Sequence, residues 1–280
     1  MINQLKTIML LGALTGLMLL AGRILGGAQG LTFALFFAFI MNFGAYFFSH
    51  KIVLAMYHAK EAKKTEYSQL HKIVEEVAQK ANVPKPKIYI IPTQTPNAFA
   101  TGRNPNNAVV ACTQGILSLL TTDELKGVIA HEIAHVKNRD ILVTTIAATI
   151  AGVISYLAQM AQFAAIFGNR DDRDSGNFLG IIVLAILTPL IAMIIQLAIS
   201  RSREYLADER GARTIKSSKG LASALLKLDG AIKHNPMQFG SPTTSSLFIL
   251  NPFSAKGFTS LFSTHPSTQE RIRRLNEIKF

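Results

Sequence analysis

The sequence predicts a mainly α-helical integral membrane protein, with four transmembrane helices and an α+β domain carrying a small β-sheet outside the bilayer. Three observations point there. Hydrophobic residues make up 49% of the 280 positions and charged residues only 16%, well below the roughly 25% of an average soluble domain. Four apolar runs, residues 7–22, 31–48, about 141–168 and about 178–199, reach or approach the ~20 residues that a spanning helix needs. The polar stretches 51–140 and 200–280 read as one domain, interrupted by the second pair of spans.

Lys6 ahead of the first run fits a cleavable signal peptide, but a second run follows after only Arg23 and "GGAQG". The pair therefore reads better as a hairpin, residues 1–50. Lysines and arginines set the orientation. Lys51, Lys60, Lys63 and Lys64 follow the second run, Lys137 and Arg139 precede the third, and Arg201 and Arg203 follow the fourth. On the opposite side "GGAQG" is uncharged, and "NRDDRDSGN" sets two arginines against three aspartates. Both termini and the polar domain are thus expected on the cytoplasmic side of a multi-pass membrane protein. The net charge of +12 is mainly a topology signal, and it leaves room for a basic surface against anionic lipid. A nucleic-acid surface would need cations interleaved with aromatics on one face. Here they track the membrane flanks and Trp is absent, so no nucleic-acid partner is expected.

Within the polar domain, apolar positions at helical spacing predict a helix over 68–83, stopped by "PKPK". "KIYIIP" (87–92) reads as a buried strand, and "NAFATG" and "NAVVACTQGIL" read as two more, joined by the turn-forming "RNPNN". A further helix starts at "TTDEL", where Thr121 and Glu124 make an S/T-x-x-E capping box. Helices follow over 200–215 and 220–234, then a Pro-, Gly- and Ser-rich loop over 235–264, then a last helix over 266–278.

The chemistry concentrates in "HEIAHVKNRD", residues 131–140. On a helix, His131 and His135 share a face and can aim ring nitrogens at one point, while Glu132 can reach a water on the same metal. Cys112 is the only cysteine, so thiolate sites are excluded and a metal must be held by His and carboxylate ligands. A catalytic Zn²⁺ needs a third protein ligand. The H-E-x-x-H-x-x-G-x-x-H continuation is absent, since Asn138 and Ile141 stand where Gly and His would. Candidates are Glu204, Asp208, Glu209 and His265. Glu204 and Asp208 lie four apart on one helical face, so Glu204 could ligate while Asp208 orients a ligating histidine from behind. Glu209 points elsewhere. A membrane hairpin over 141–199 would return the chain near where it left, bringing residues around 200 close to residues around 140. His50, His58, His71 and His234 have no spaced partner and read as ordinary histidines.

"HEIAHVKNRD", "SRSREYLAD", "NAFATG", "AVVACTQG" and "STHPSTQERI" together resemble the HtpX-type membrane zinc metalloproteases, relatives of the CAAX prenyl endoprotease, over essentially the whole chain. The resemblance implies a zincin-like domain of the gluzincin kind, with one Zn²⁺ on His131, His135 and Glu204 and with Glu132 as the catalytic glutamate. It implies that Asn97, Ala98, Phe99, Ala100, Thr101 and Gly102 form a cleft edge onto which a substrate peptide adds as a strand. His265 would stabilise the oxyanion or plug the open metal position, and Arg271, a turn later, is expected on the substrate side. The implied role is cleavage of damaged or misassembled membrane proteins under stress, at the cytosolic face of the cell membrane. Two rivals are a CAAX-type protease of prenylated tails and a catalytically silent, zinc-stabilised membrane adaptor.

Overall fold

The computed structural model describes residues 2–150, 201–240, 242–253 and 266–280. Its first element, α1 (Ile2–Met56), is helical throughout, yet it is not a rod. Asn42 Nδ2 donates to Thr15 Oγ1 at 2.7 Å, whereas these residues would lie about 40 Å apart on a straight helix. The reversal occurs at Gly27, whose φ of +58° is costly for any residue with a Cβ. Beside it the two limbs touch so closely that a Cβ on Gly22 would lie 2.5 Å from Gly30 O. α1 therefore folds back on itself, with the Thr15–Asn42 pair as polar glue between its two limbs. Its outer surface is apolar: Phe33, Phe36, Phe37, Phe39 and Phe43 are all exposed, a surface of the kind a bilayer solvates.

Gly27–Met56 is the one helix among the described residues long and apolar enough to cross a membrane. Four transmembrane helices are thus not established. Of the segment expected to form a second hairpin, only the apolar helix Ile141–Ile150 is described, and the rest of residues 141–199 lies outside the described residues. α1 runs past residue 50 to Met56 and plants Val53 and Leu54 in the core of the polar domain. Tyr57, just past its end, joins them.

After α1 come β1 (Lys60–Glu61), α2 (Ser68–Ala81), β2 (Lys87–Ile91), β3 (Ala98–Gly102) and β4 (Ala108–Thr113). They form one sheet of order β1-β2-β4-β3. β2 and β4 run parallel, and the other two pairs are antiparallel. β1 has only two residues, both exposed, too short for periodicity to announce it. The predicted strand through "TQGIL" instead stops at Thr113, whose hydroxyl caps α3 (Gln114–Leu119) by accepting from Ile116 N. The strand period of two sorts the sheet's side chains. Ile88, Ile90, Ala100, Val110 and Cys112 face the helical core, while Ile91, Phe99, Val109 and Ala111 face the end of α1.

α4 (Thr122–Asn138) opens with the full capping box of Thr121 and Glu124. α5 (Ile141–Ile150) follows it. After residues 151–200, which lie outside the described residues, come α6 (Arg201–Ile215), α7 (Lys219–His234) and α8 (Thr268–Asn276). α4 is the hub, packed on α2, α6 and α7. Gly211 sets its distance from α6, since a Cβ there would meet Ala130 C and His131 N at 2.9 Å. The expected loop after α7 is not a solvated connection over its described part. Pro242–Leu247 makes a 3₁₀ turn, and Leu247, Phe248, Ile249 and Leu250 are buried. Phe248 stacks edge-on to Tyr57 and Phe99.

Candidate active site

His131 and His135 lie one turn apart on α4, and their Nε2 atoms face each other at 3.2 Å. Glu204, on α6, points its carboxylate at both, 3.6 Å from His131 Nε2 and 3.5 Å from His135 Nε2. Three ligands 2.0–2.1 Å from a tetrahedral zinc would stand about 3.3 Å apart. One donor atom from each of these residues lies within 4.8 Å of the others, so the set fits a metal of that size. Two imidazole nitrogens and a carboxylate facing inward also demand a cation. Burial alone would lower the His131 pKa, but the carboxylates of Asp208 and Glu204 outweigh it and push it up to about 9. A metal ion satisfies the same demand in place of that proton.

Each histidine is held from behind by a carboxylate. Asp208 Oδ1 accepts from His131 Nδ1 at 2.8 Å. Asp140 lies 3.2 Å from His135 Nδ1, and sequence reasoning missed it. The chain reaches that position because Arg139 takes a left-handed φ of +58° at the end of α4, which turns Asp140 back over its own helix. A carboxylate five residues after the second histidine was the available signal.

Arg271, expected on the substrate side, is 0% exposed. It grips Asp208 with Nε at 2.8 Å and Nη2 at 2.7 Å, and gives Nη1 to Ile249 O at 2.7 Å. That places it behind His131 and away from the cleft. The Arg271 charge outweighs burial and holds the Asp208 carboxyl below its usual range. Arg203, read from sequence only as a topology marker, lies near Asp140 and Glu204. Burial pushes its pKa down, and both carboxylates oppose the shift.

Glu132 is 2% exposed, and its Oε1 is buried without a hydrogen-bond partner. Burial raises its pKa, against the pull of His131 and His135. Glu209 is half exposed and pairs with Arg213, so it is turned away as expected. His265 lies outside the described residues.

Of the 97–102 stretch, Ala100 reaches the cavity beside the metal ligands. Asn97 is fully buried and works as a clamp, with Nδ2 donating to Leu250 O and Oδ1 accepting from Ala98 N. Phe99 belongs to the core against α1, and Thr101 bonds Thr145. Gly102 ends the strand with φ +133°. The stretch is therefore a strand edge offering backbone, and of its side chains Ala100 alone lines the cavity. The cavity holds only about 20 Å³, room for about one water. Ser246, Leu247, Phe248 and Ile249 wall it opposite Ala100, and Ile249 N already donates to Ala98 O on the strand edge at 3.0 Å.

Comparison with known proteins agrees with this geometry. The model of peptidase family M48 matches residues 64–279. Proteins named "Protease HtpX homolog" are similar over nearly their whole length. That of Syntrophobacter fumaroxidans is 52% identical and covers 99% of both chains. Those of Persephonella marina (54% identity, 99% of this chain and 97% of that one) and Thermococcus sibiricus (51%, 98% and 95%) are comparable. The crystal structure of S. mikatae Ste24p shares the fold, with a TM-score of 0.54 at 20% identity over 99% of this chain and 65% of that one. Relatives so alike across the full length, and a family model that spans the motif helix and the third candidate ligand, agree with the site's own chemistry: the chain belongs to peptidase family M48 and is a membrane metalloprotease.

Proposed function

We propose that the chain is a zinc-dependent endopeptidase that cleaves damaged or misassembled membrane proteins at the cytosolic face of the cell membrane. The observation that carries the hydrolytic reading is the state of Glu132, a buried carboxylate with an unpartnered oxygen beside a three-residue metal cage. A purely structural metal site has no use for such a group. His131, His135 and Glu204 would hold the ion, and Asp208 and Asp140 would fix the tautomer and aim of the two imidazoles. Zinc bound there would supply Lewis acidity, polarising the scissile carbonyl and acidifying a water at the site.

The chain's own residues supply the rest. Glu132 takes the proton from the attacking water and passes it to the leaving amine. Its raised pKa suits both halves of that task. A substrate peptide would add along β3, with Ala98 to Gly102 giving backbone bonds that tolerate many sequences. That requires Ser246 to Ile249 to withdraw, since they now wall the cavity and bond Ala98 O. Arg271 acts through Asp208 as a positioning residue, and His265 completes the site as oxyanion donor or resting plug. The four-span, cytoplasm-facing topology rests on the apolar runs and on the Lys and Arg flanks. It places the metal next to the bilayer, where cytoplasmic loops of membrane substrates are within reach.

The test is Glu132→Gln in the detergent-purified full chain, assayed on an unfolded polypeptide. Zinc content should stay at one per chain while cleavage falls by about 10²–10⁴-fold. Cleavage at the original rate with zinc bound would overturn the mechanism and favour a different base.

A further inference from the structure

A second cavity opens away from the metal cleft and shares no residue with it. It measures about 480 Å³ and is lined by Ala81, Ala134, Lys137, Arg210, Arg213 and Thr214, from α2, α4 and α6. Ala81 and Ala134 are buried, and their small side chains leave the hollow open. Three of the six lining residues are cations and none is an acid. Arg213 pairs with Glu209 at the rim, but Lys137 and Arg210 have no carboxylate partner among the described residues. Arg210 donates only to the neutral side chain of Asn138.

Cations often gather where helices end, to complement the partial negative charge of free carbonyls. That need is already met here by backbone. Asn82 N and Val83 N close the end of α2, Arg139 N and Asp140 N that of α4, and Lys216 N and Ser217 N that of α6. The positive charge is left over, facing a hollow large enough for a small ligand. Lys137 stands four residues before Ile141, where the apolar helix Ile141–Ile150 begins. That is at most ~14 Å of chain, between about one and two Debye lengths at physiological salt, so the potential of an anionic membrane surface there would reach Lys137 attenuated.

We infer that this groove is a binding site for phosphate-ester anions, and that its occupant is the headgroup of an anionic phospholipid. Arg210 and Arg213 offer forked guanidinium donors that match phosphate geometry, and Lys137 adds a point charge. The site would seat the base of the second hairpin on negatively charged lipid. It is independent of the proteolytic reading, and nothing in its test depends on cleavage.

The test uses the full chain in zwitterionic phosphatidylcholine nanodiscs, with the thermal midpoint followed as phosphatidylglycerol is added. Wild type is compared with Lys137→Gln/Arg210→Gln and with the charge-matched control Lys72→Gln/Lys219→Gln. All four side chains are exposed, so each variant should fold, and zinc content checks that it has. Phosphatidylglycerol should raise the midpoint of wild type and control alike, while the groove variant needs roughly 30-fold more lipid for half its effect. Equal responses from the two double variants would overturn the site. So would an acidic peptide acting at the groove while phosphatidylglycerol does not. Inorganic phosphate saturating the groove, with no further gain from the lipid, would overturn the lipid assignment.

Discussion

Replacing Asp208 by Asn tests whether the metal cage depends on charge held behind it. Asp208 is 3% exposed, and its two oxygens serve three donors: His131 Nδ1 at 2.8 Å, Arg271 Nη2 at 2.7 Å and Arg271 Nε at 2.8 Å. An amide of the same shape has one acceptor and one donor, so whichever way it flips, an N–H faces an N–H. Arg271, at 0% exposure, is left as a buried cation whose remaining fixed acceptor is Ile249 O. Breaking a buried pair from one side costs about 3–5 kcal/mol. Taking about 3 kcal/mol because the shape is kept, the thermal midpoint of the loaded protein should fall by about 6–12 °C. Zinc affinity should fall 10- to 100-fold, as for lost partners behind metal-bound histidines. Competition with a chromogenic chelator measures the second quantity independently of the first. The wild-type carboxyl is held below its usual range, so its contribution is complete above about pH 3.9 and fades as pH falls towards its folded-state value. The variant should lack that acid-sensitive component. Zinc affinity within twofold of wild type would refute the claim that Asp208 positions His131.

Two further outcomes follow from packing and from linkage. Gly211→Ala forces a Cβ to within 2.9 Å of Ala130 C and His131 N, which pushes α6 and its Glu204 off α4; overpacking of this kind costs about 1–3 kcal/mol. Zinc loss exceeding that of Gly230→Ala, where a Cβ meets nothing within 4 Å, checks it in parallel metal analyses. Glu124 is held at a pKa of about 2, because its bonds to Lys227, Ser223 and Thr121 N outweigh burial. Its stabilisation is therefore complete above pH 4.5 and lost as pH falls through 2. With the partly exposed Lys227 screening the pair, Glu124→Gln should cost about 1–2 kcal/mol near neutrality and flatten the acid limb of a thermal-midpoint profile between those values.

Much was legible in the order of residues because local rules govern it. The spacing of His131 and His135 needs only the helical repeat, the capping box at Thr121 needs only four consecutive residues, and the first hairpin needs only two apolar runs and a glycine-rich turn. The candidates for a third ligand could be narrowed by the i, i+4 geometry of Glu204 and Asp208, since both lie on one helix. What the order of residues could not decide depends on which faces meet. Arg271 and Asp208 are 63 positions apart, and nothing local says that a guanidinium will be drawn into the core to meet a carboxylate behind a histidine. Asp140 reaches His135 only because one residue adopts a left-handed backbone, a choice that periodicity does not record. The stretch 246–249 fell inside a Pro-, Gly- and Ser-rich loop by composition, and became a cavity wall because Phe248 found Tyr57 and Phe99 from two distant segments. The sequence by itself determined the chemistry on offer, in the two imidazoles and the glutamate between them. Only the tertiary structure decided which charges stand behind that chemistry and which segment stands in front of it. Burial and long-range pairing are properties of surfaces in contact, and a linear pattern carries them only where contact is local.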